Sequence, residues 1–152
     1  MHRSSVDYHL DLAPSASTLT AAAVLRHQVF VVEQGVAATI ERDGRDGEAL
    51  HVAVHAQSGD IVGTGRLMVG AGFVKVQRVA VASERRGEGL GRLVMRGLES
   101  IAIARGAGEV RLSSQEDAVP FYERLGYVGQ GAPFLEAGIV HLAMTKAVEA
   151  RR

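Results

Sequence analysis

The sequence contains no cysteine and no tryptophan among its 152 residues. The lack of cysteine excludes disulfides, CxxC redox sites, thiolate zinc sites and a cysteine nucleophile. The 17 Lys and Arg residues are balanced by 17 Asp and Glu residues, so net charge favours neither nucleic acid nor an anionic membrane as a partner. No apolar run approaches the ~18–20 residues of a membrane span, and the N-terminus has no apolar signal core. We therefore expect a cytoplasmic protein with no membrane or nucleic-acid partner.

Length and periodicity predict one domain, residues 1–152, because about 150 residues is the usual size of a domain and no repeat or linker interrupts the chain. Alternating apolar residues from Val6 to Leu12 predict a first strand, and a helix capped by Ser15 or Ser17 continues to about Val32. Residues 34–48 are polar and predict a long loop. Further strands are predicted at 50–54, 61–69, 73–81, 110–113, 127–130 and 139–146, and further helices at 90–105 and 117–125.

The order of these elements indicates the fold class. Strand, helix and strand over residues 73–113 form a βαβ unit, which requires a parallel pair with a right-handed crossover. The strands before this unit are joined by short turns and are therefore antiparallel. We expect a mixed-sheet α/β (α+β) domain.

The segment Arg85-Arg86-Gly87-Glu88-Gly89-Leu90-Gly91 lies between a Val-rich strand and a helix. Its alternating glycines let the backbone turn tightly, and the helix N-terminus adds about half a positive charge. Both features favour a phosphate or pyrophosphate. Neither a Walker A ending nor the G-x-G-x-x-G spacing is present, so ATP and NAD are poor candidates. A glycine turn that binds nothing explains the same residues.

Two motifs carry a resemblance to a known family. Arg86-x-x-Gly89-x-Gly91, placed after the strand Val76–Val81, matches the Q/R-x-x-G-x-G/A signature of the GNAT (Gcn5-related) N-acetyltransferases. The segment Asp117–Tyr127 is similar to the family's second motif, with Tyr127 in place of its last Phe. The resemblance covers nearly the whole chain, and residues 25–34 and 134–144 resemble the ElaA-type subgroup.

The resemblance implies a GNAT-type fold, with a central, twisted, mostly antiparallel sheet and helices on both faces. A parallel βαβ pair lies at the cofactor site, where the sheet splays beside the fourth strand and acetyl-CoA enters the gap. It implies that Tyr122 binds the cofactor and protonates the departing thiolate. The pantetheine arm would be held by backbone groups of Val79, Ala80 and Val81. The pyrophosphate would be bound by the backbone of Arg86, Gly87, Glu88, Gly89, Leu90 and Gly91.

The acceptor in such a reaction would be the primary amine of a small molecule or a peptide. An ammonium group with a pKa of about 10.4 must lose a proton before it can attack a thioester. The candidate bases are Glu33, Glu41, His51, Glu136 and His141, and ordered water can also serve. We favour Glu33 and Glu41 as catalytic acceptor contacts, because the first helix and the following loop frame the acceptor side in this family.

No metal is expected. His51 and His55 lie on one face of a predicted strand but about 13 Å apart, and no third ligand is evident. The resemblance also allows a homodimer through the C-terminal strands.

Two other functions fit parts of the sequence. Arg26-x-x-x-Phe30 followed by Glu41-x-Asp43-x-x-Asp46 also resembles the acyl-homoserine-lactone synthases, which use S-adenosylmethionine. The intact Arg86–Gly91 loop and the lack of tryptophan count against that reading. A GNAT-fold module that binds CoA without catalysis is the other alternative, and Tyr122 counts against it.

Overall fold

The computed structural model describes residues 7–149 and contains one seven-stranded sheet with helices packed on it. The strands are β1 Tyr8–Asp11, β2 Leu50–Ala56, β3 Ile61–Val69, β4 Phe73–Val81, β5 Glu109–Gln115, β6 Val128–Glu136 and β7 Ile139–Ala147. The helices are α1 Ala16–Arg26, α2 Ala38–Glu41, α3 Leu90–Ala104 and α4 Val119–Arg124. Val6, where the first strand was predicted to begin, lies outside the described residues.

The sheet has the order β1-β2-β3-β4-β5-β7-β6, and its single parallel pair within residues 7–149 is β4 with β5. α3 connects these two strands, so the predicted βαβ unit is confirmed. The apolar face of α3, which includes the fully buried Val94 and Leu98, packs on the sheet.

α1 and α3 cover opposite faces of the sheet, as the alternation along β3 demonstrates. Gly65 faces α3: a Cβ at this position would lie 2.8 Å from Val94 Cγ1 and 2.9 Å from Leu98 Cδ1, so glycine lets the helix approach closely. The next residue, Arg66, points to the other face and binds Asp46, which also binds Arg26 at the end of α1.

The predicted first helix has the expected length but changes its hydrogen bonding along the way. The Ser15 side chain accepts a hydrogen bond from the Thr18 amide and caps α1. After Arg26 the chain continues as a wider π-helical segment, His27–Glu33. Such segments are frequent at functional sites.

Two segments outside the predicted helices and strands contain regular structure. Residues 34–48 include α2 and a 3₁₀ turn at Asp46–Glu48. Residues 130–138 belong mostly to β6, which pairs with β7 as far as Glu136. Gly131 and Pro133 interrupt the register between Gln130 and Phe134, and this interruption hides the alternating pattern.

Within residues 7–149, no helix combines the length and the apolar character needed to cross a bilayer.

Candidate active site

The sheet opens between its two parallel strands. β4 and β5 pair from Phe73 with Glu109 to Val76 with Leu112, and no further, although both strands continue for several residues. Residues 77–81 and 113–115 therefore border a gap in the sheet. Backbone groups that lose a strand partner in this way can bind a ligand instead.

A bulge in β4 lies at the start of this gap. Thr64 pairs with Ala80 and Arg66 pairs with Gln77, so two residues of β4 oppose the single residue Gly65. Arg78, in the bulge, has a φ of 59°, a conformation that costs a non-glycine residue about 1–2 kcal/mol. Bulges of this kind recur beside active sites, where they change the direction of the strand.

A cavity of about 450 Å³ lies on one side of the gap, against the glycine-rich loop. It is lined by the residues Val79, Val81, Arg85, Arg86, Gly87, Gly89, Leu90, Gly91, Arg92, Ala118, Phe121 and Tyr122. Three of these are arginines, and the N-terminus of α3 opens into the same space. The cavity is therefore electropositive.

The geometry of the loop fits an anion such as a pyrophosphate. Gly87 and Gly89 have φ values of 84° and 82°, which L side chains rarely adopt. Gly89 is the N-cap of α3 and has no side chain to cap it, so the amide groups of the first turn, at Leu90 and Gly91, have no acceptor within the helix. A Cβ at Gly91 would lie 3.1 Å from the Phe121 ring. The loop thus presents free donors to an anion.

Glu33, favoured as an acceptor contact, lies at this loop. Its carboxylate binds Arg86 through two contacts, Oε2 to Nη1 at 2.8 Å and Oε1 to Nη2 at 3.0 Å. Arg86 Nη2 also donates to the Val81 carbonyl at 3.2 Å. The Arg86 side chain is therefore used to hold the loop against the π-helical segment and β4. Glu88 likewise accepts a hydrogen bond from the Tyr8 hydroxyl at 2.8 Å.

A second cavity, of about 440 Å³, lies on the other side of the gap. It is bounded by β4, β5, the β6–β7 hairpin and the segment around α2. Its polar and charged lining residues include Asp43, Lys75, Gln77, Arg78, Ser114, Glu136 and His141. Val79, Ala118 and Tyr122 line both cavities, so the two spaces meet at these three residues.

Tyr122, on α4, is 9% exposed and packs edge-on against Phe121 and Tyr127. Burial raises the pKa of Tyr122 to about 12, so its hydroxyl stays protonated at neutral pH. The hydroxyl makes no hydrogen bond within residues 7–149, yet no buried side-chain polar atom in this range lacks a partner. The hydroxyl oxygen must therefore remain accessible, and the accessible space around Tyr122 is the junction of the two cavities.

His141 and Glu136 lie in the second cavity on adjacent strands. The turn Ala137-Gly138 has two residues, with φ values of 52° and 77°, and sets Glu136 opposite Ile139 and Phe134 opposite His141. Opposed residues of antiparallel strands point to the same face. The short turn was the sequence signal that could have placed Glu136 and His141 together.

Glu41 has a structural role that the sequence did not reveal. It is 3% exposed and its Oε2 accepts from Arg26 Nη2 at 2.6 Å and from Arg78 Nε at 3.2 Å. It does not line the second cavity. This position does not favour the expected contact of Glu41 with the acceptor, because its carboxylate is enclosed and already shared by two guanidinium groups.

Glu41 belongs to a larger arginine–acid cluster, whose members are Arg26, Glu41, Asp43, Asp46, Arg66 and Arg78. Hydrogen bonds from Arg66 hold the pKa of Asp43 well below its usual range. Burial raises the pKa of Asp46, but Arg26 and Arg66 together lower it below its ordinary value. The negative charges of Glu41, Asp43 and Asp46 are thus balanced by the arginines of the cluster and are not available to attract an amine.

The other candidate histidines are bound elsewhere. His51 Nε2 lies 2.9 Å from the Asp46 carbonyl, and His55 Nε2 lies 3.0 Å from Asp11 Oδ2. In the part of the chain that the structure describes, no group of three or more His, Asp or Glu side chains is arranged to hold a metal.

Comparisons with known proteins agree with this geometry. The family model described as "Acetyltransferase (GNAT) domain" matches residues 15–148. The Bacillus subtilis protein YjcF, described as an uncharacterized N-acetyltransferase, is 38% identical over 136 residues, which are 89% of this chain and 96% of its own length.

Two solved structures share the fold. An acyl-CoA N-acyltransferase from Pseudomonas aeruginosa has a TM-score of 0.79 and 31% identity, over 94% of this chain and 100% of its own. Escherichia coli ElaA has a TM-score of 0.79 and 27% identity, over 93% of this chain and 99% of its own. The predicted fold class and the resemblance to ElaA are thereby confirmed.

Proposed function

The chain belongs to the GNAT acetyltransferase family, and we propose that it transfers an acetyl group from acetyl-CoA directly to a primary amine of a small molecule or peptide. The observation that carries this proposal is the meeting of two cavities at Val79, Ala118 and Tyr122. One cavity is electropositive and has free amide donors, as a pyrophosphate requires. The other is lined with polar groups, as an amine acceptor requires.

In this proposal the loop from Arg86 to Gly91 binds the pyrophosphate of acetyl-CoA mainly through backbone N–H groups. The Arg86 guanidinium is engaged by Glu33 and Val81, so its contribution is to fix the loop. Arg85 and Arg92 add positive charge around the phosphates. Val79, Ala80 and Val81 border the gap in the sheet, where their backbone groups receive the pantetheine arm.

Tyr122 assists the departure of the CoA sulfur. A thiol with a pKa near 8.5 leaves as a thiolate, which gains from a nearby hydrogen-bond donor. The Tyr122 phenol has a pKa of about 12, so its phenolate is a stronger base than the CoA thiolate. The hydroxyl therefore donates a hydrogen bond to the sulfur and gives up its proton only as another proton replaces it. The replacing proton comes from the attacking amine, which must lose a second proton when the amide forms.

A homodimer through the C-terminal strands is a further part of the proposal. β6 is the outer strand of the sheet and all nine of its residues are exposed, with Leu135 at 72%. An exposed edge strand with apolar side chains is prone to pair with another chain. Light scattering would give the mass directly. The proposal also implies work in the cytoplasm, because acetyl-CoA does not cross membranes unaided.

The first experiment is a thermal-shift titration with acetyl-CoA, with ATP, NAD and S-adenosylmethionine as controls. Ligand at ~100 times its Kd adds about 2.7 kcal/mol. At roughly 2–4 °C per kcal/mol for a domain of this size, Tm should rise by about 5–11 °C with acetyl-CoA alone. Gly89→Ala should abolish this rise because Gly89 requires a positive φ. Gly59→Ala, in the turn between β2 and β3, makes the same kind of change away from the site and should retain it.

Turnover is then measured with acetyl-CoA and a panel of primary amines: spermidine, glucosamine, kanamycin, lysine and a peptide with a free N-terminus. A rise in Tm only with S-adenosylmethionine would point to a synthase-like enzyme. A rise with acetyl-CoA but no transfer to any amine would point to a binding module. Either result would contradict the proposed function.

A further inference from the structure

The residues first expected to accept the amine proton do not lie where the amine would bind. Glu33 is paired with Arg86 at the pyrophosphate loop, and Glu41 is enclosed by Arg26 and Arg78. We propose that His141 is the general base of the transfer and that Glu136 is the positioning residue that stabilises its protonated form. This inference rests on the proposed function and assigns the missing proton acceptor in the second cavity.

The hydrogen bond of His141 determines which ring nitrogen is available. Nδ1 lies 2.8 Å from the Ile139 carbonyl oxygen. A carbonyl can only accept, so Nδ1 carries the proton, and in the neutral ring Nε2 has the free lone pair. This is the tautomer that a general base at Nε2 requires.

Nε2 is also accessible. It makes no hydrogen bond within residues 7–149, and no buried side-chain nitrogen or oxygen in that range is without a partner. Nε2 therefore has contact with open space although His141 as a whole is only 7% exposed. His141 and Tyr122 both line the second cavity.

Glu136 lies where an imidazolium would need a negative charge. Its Oε2 is 3.8 Å from His141 Nε2, and its side chain is 56% exposed, which gives a proton a path to solvent. Phe134 stacks on the imidazole, with ring centroids 6.0 Å apart, and fixes its orientation. The carboxylate is thus placed to pair with an imidazolium at His141.

Four other titratable groups line this cavity, namely Asp43, Lys75, Arg78 and Tyr122. Asp43 and Arg78 are paired within the arginine–acid cluster. Lys75 lies on β4 and has no ion pair among the described residues, and Tyr122 lies at the junction with the first cavity. Among these groups, His141 is the one whose neutral side chain has a free nitrogen lone pair, at Nε2.

The proton balance closes with these residues. The acceptor ammonium gives one proton to His141 Nε2, and the neutral amine nitrogen attacks the thioester carbonyl carbon. As the C–N bond forms and the C–S bond breaks, Tyr122 gives its proton to the sulfur. The nitrogen loses its second proton, which restores the Tyr122 hydroxyl. His141 releases the first proton past Glu136 to solvent, so each turnover yields the amide, CoA thiol and one proton.

The test compares His141→Asn with His141→Gln and with His9→Gln, a substitution of an exposed histidine on β1. Asn can keep the donor to the Ile139 carbonyl but has no atom in the place of Nε2, so a merely structural role predicts that His141→Asn remains active. General-base catalysis predicts a 10²–10⁴-fold loss of kcat for both His141 variants. The thermal shift with acetyl-CoA should be unchanged, and His9→Gln should match the wild type.

A second arm varies the acceptor. The panel amine that the wild type acetylates fastest is protonated at neutral pH, whereas hydroxylamine is largely unprotonated. The loss in His141→Asn should be much smaller with hydroxylamine, because an unprotonated nucleophile does not need the first proton transfer. Glu136→Gln should lose less than His141→Asn because the imidazolium loses its neighbouring charge while the base remains, and Glu136→Asp, which keeps the carboxylate, should recover part of that loss.

A third arm needs no acceptor: ¹⁵N spectra of the wild type should give His141 as the Nδ1–H tautomer. The inference is overturned by the Nε2–H tautomer, by full activity of His141→Asn, or by an equal loss with both classes of amine. A wild type that binds acetyl-CoA and acetylates none of the amines overturns the proposed function, and this inference with it. Turnover by the wild type with an active His141→Asn overturns this inference alone.

Discussion

Replacing Glu41 by glutamine should destabilise the fold more than any other single charge removal in the acidic loop. Gln keeps the size of the side chain and removes its charge. Arg26, which is 4% exposed, then loses the partner at 2.6 Å and retains Asp46 Oδ1 at 2.7 Å. Arg78, which is 24% exposed, retains the Ile40 carbonyl at 3.2 Å and can reach water.

The size of the effect follows from this partial compensation. Removing one partner of a buried ion pair costs about 3–5 kcal/mol when the other charge is left without compensation. Since Asp46 still faces Arg26, we expect the lower end, about 3 kcal/mol. At roughly 2–4 °C per kcal/mol for a domain of this size, Tm should fall by about 6–12 °C.

The assay is urea unfolding of Glu41→Gln beside Glu48→Gln, with calorimetry for Tm. Glu48 makes the same kind of pair with Arg45 at 2.6 Å, but both side chains are more than half exposed. An exposed pair of this kind contributes ~1 kcal/mol or less. The two variants therefore remove the same charge from the same loop and differ in burial.

Equal stability of these two variants would refute the reasoning, because burial would then have no effect on the cost. The affinity for acetyl-CoA provides a second readout. Glu41 holds Arg78 in its positive-φ conformation next to Val79, so Glu41→Gln should also weaken acetyl-CoA binding. Glu48→Gln should leave that affinity unchanged.

Three further outcomes are expected. Tyr122→Phe should lower kcat by ~10²–10⁴-fold with little change in the KM for acetyl-CoA, as measured by steady-state kinetics. Arg66 holds the pKa of Asp43 below its unfolded value of about 3.9, so this carboxylate adds stability that is fully present above about pH 4 and is lost as the pH falls. Asp43→Asn should therefore flatten the decline of the unfolding free energy between pH 6 and pH 3. An unchanged slope would contradict this expectation. Gly65→Ala should cost about 1–3 kcal/mol by overpacking against α3, whereas Gly47→Ala, with open space around it, should leave the urea midpoint in place.

Local patterns were sufficient for the elements around the first cavity. The apolar residues of α3 recur at helical spacing, and Gly87 and Gly89 take the positive φ values that glycine was expected to supply. These features are encoded within a few consecutive residues. The positions of β4, the loop and α3 could therefore be predicted from the sequence.

The polar interactions could not be predicted in the same way, because their partners are distant in sequence. Glu41 pairs with Arg26 and Arg78, which are 15 and 37 residues away, and only the folded chain brings them together. An acidic loop with this composition is typical of a solvated segment, and the family resemblance, which places this loop on the acceptor side, favoured Glu41 as an acceptor contact. Only the start of β6 was predicted, as the strand at 127–130, because Gly131 and Pro133 break its alternation and its pairing with β7 is tertiary information.

The two-residue turn at Ala137-Gly138 constrains the length of the connection between β6 and β7. A strand shifted by one residue turns every side chain to the opposite face. One inserted residue there would direct Glu136 and His141 to different sides of the sheet without altering either of them. Relatives that use this pair should therefore tolerate changes of sequence in the turn but not of its length.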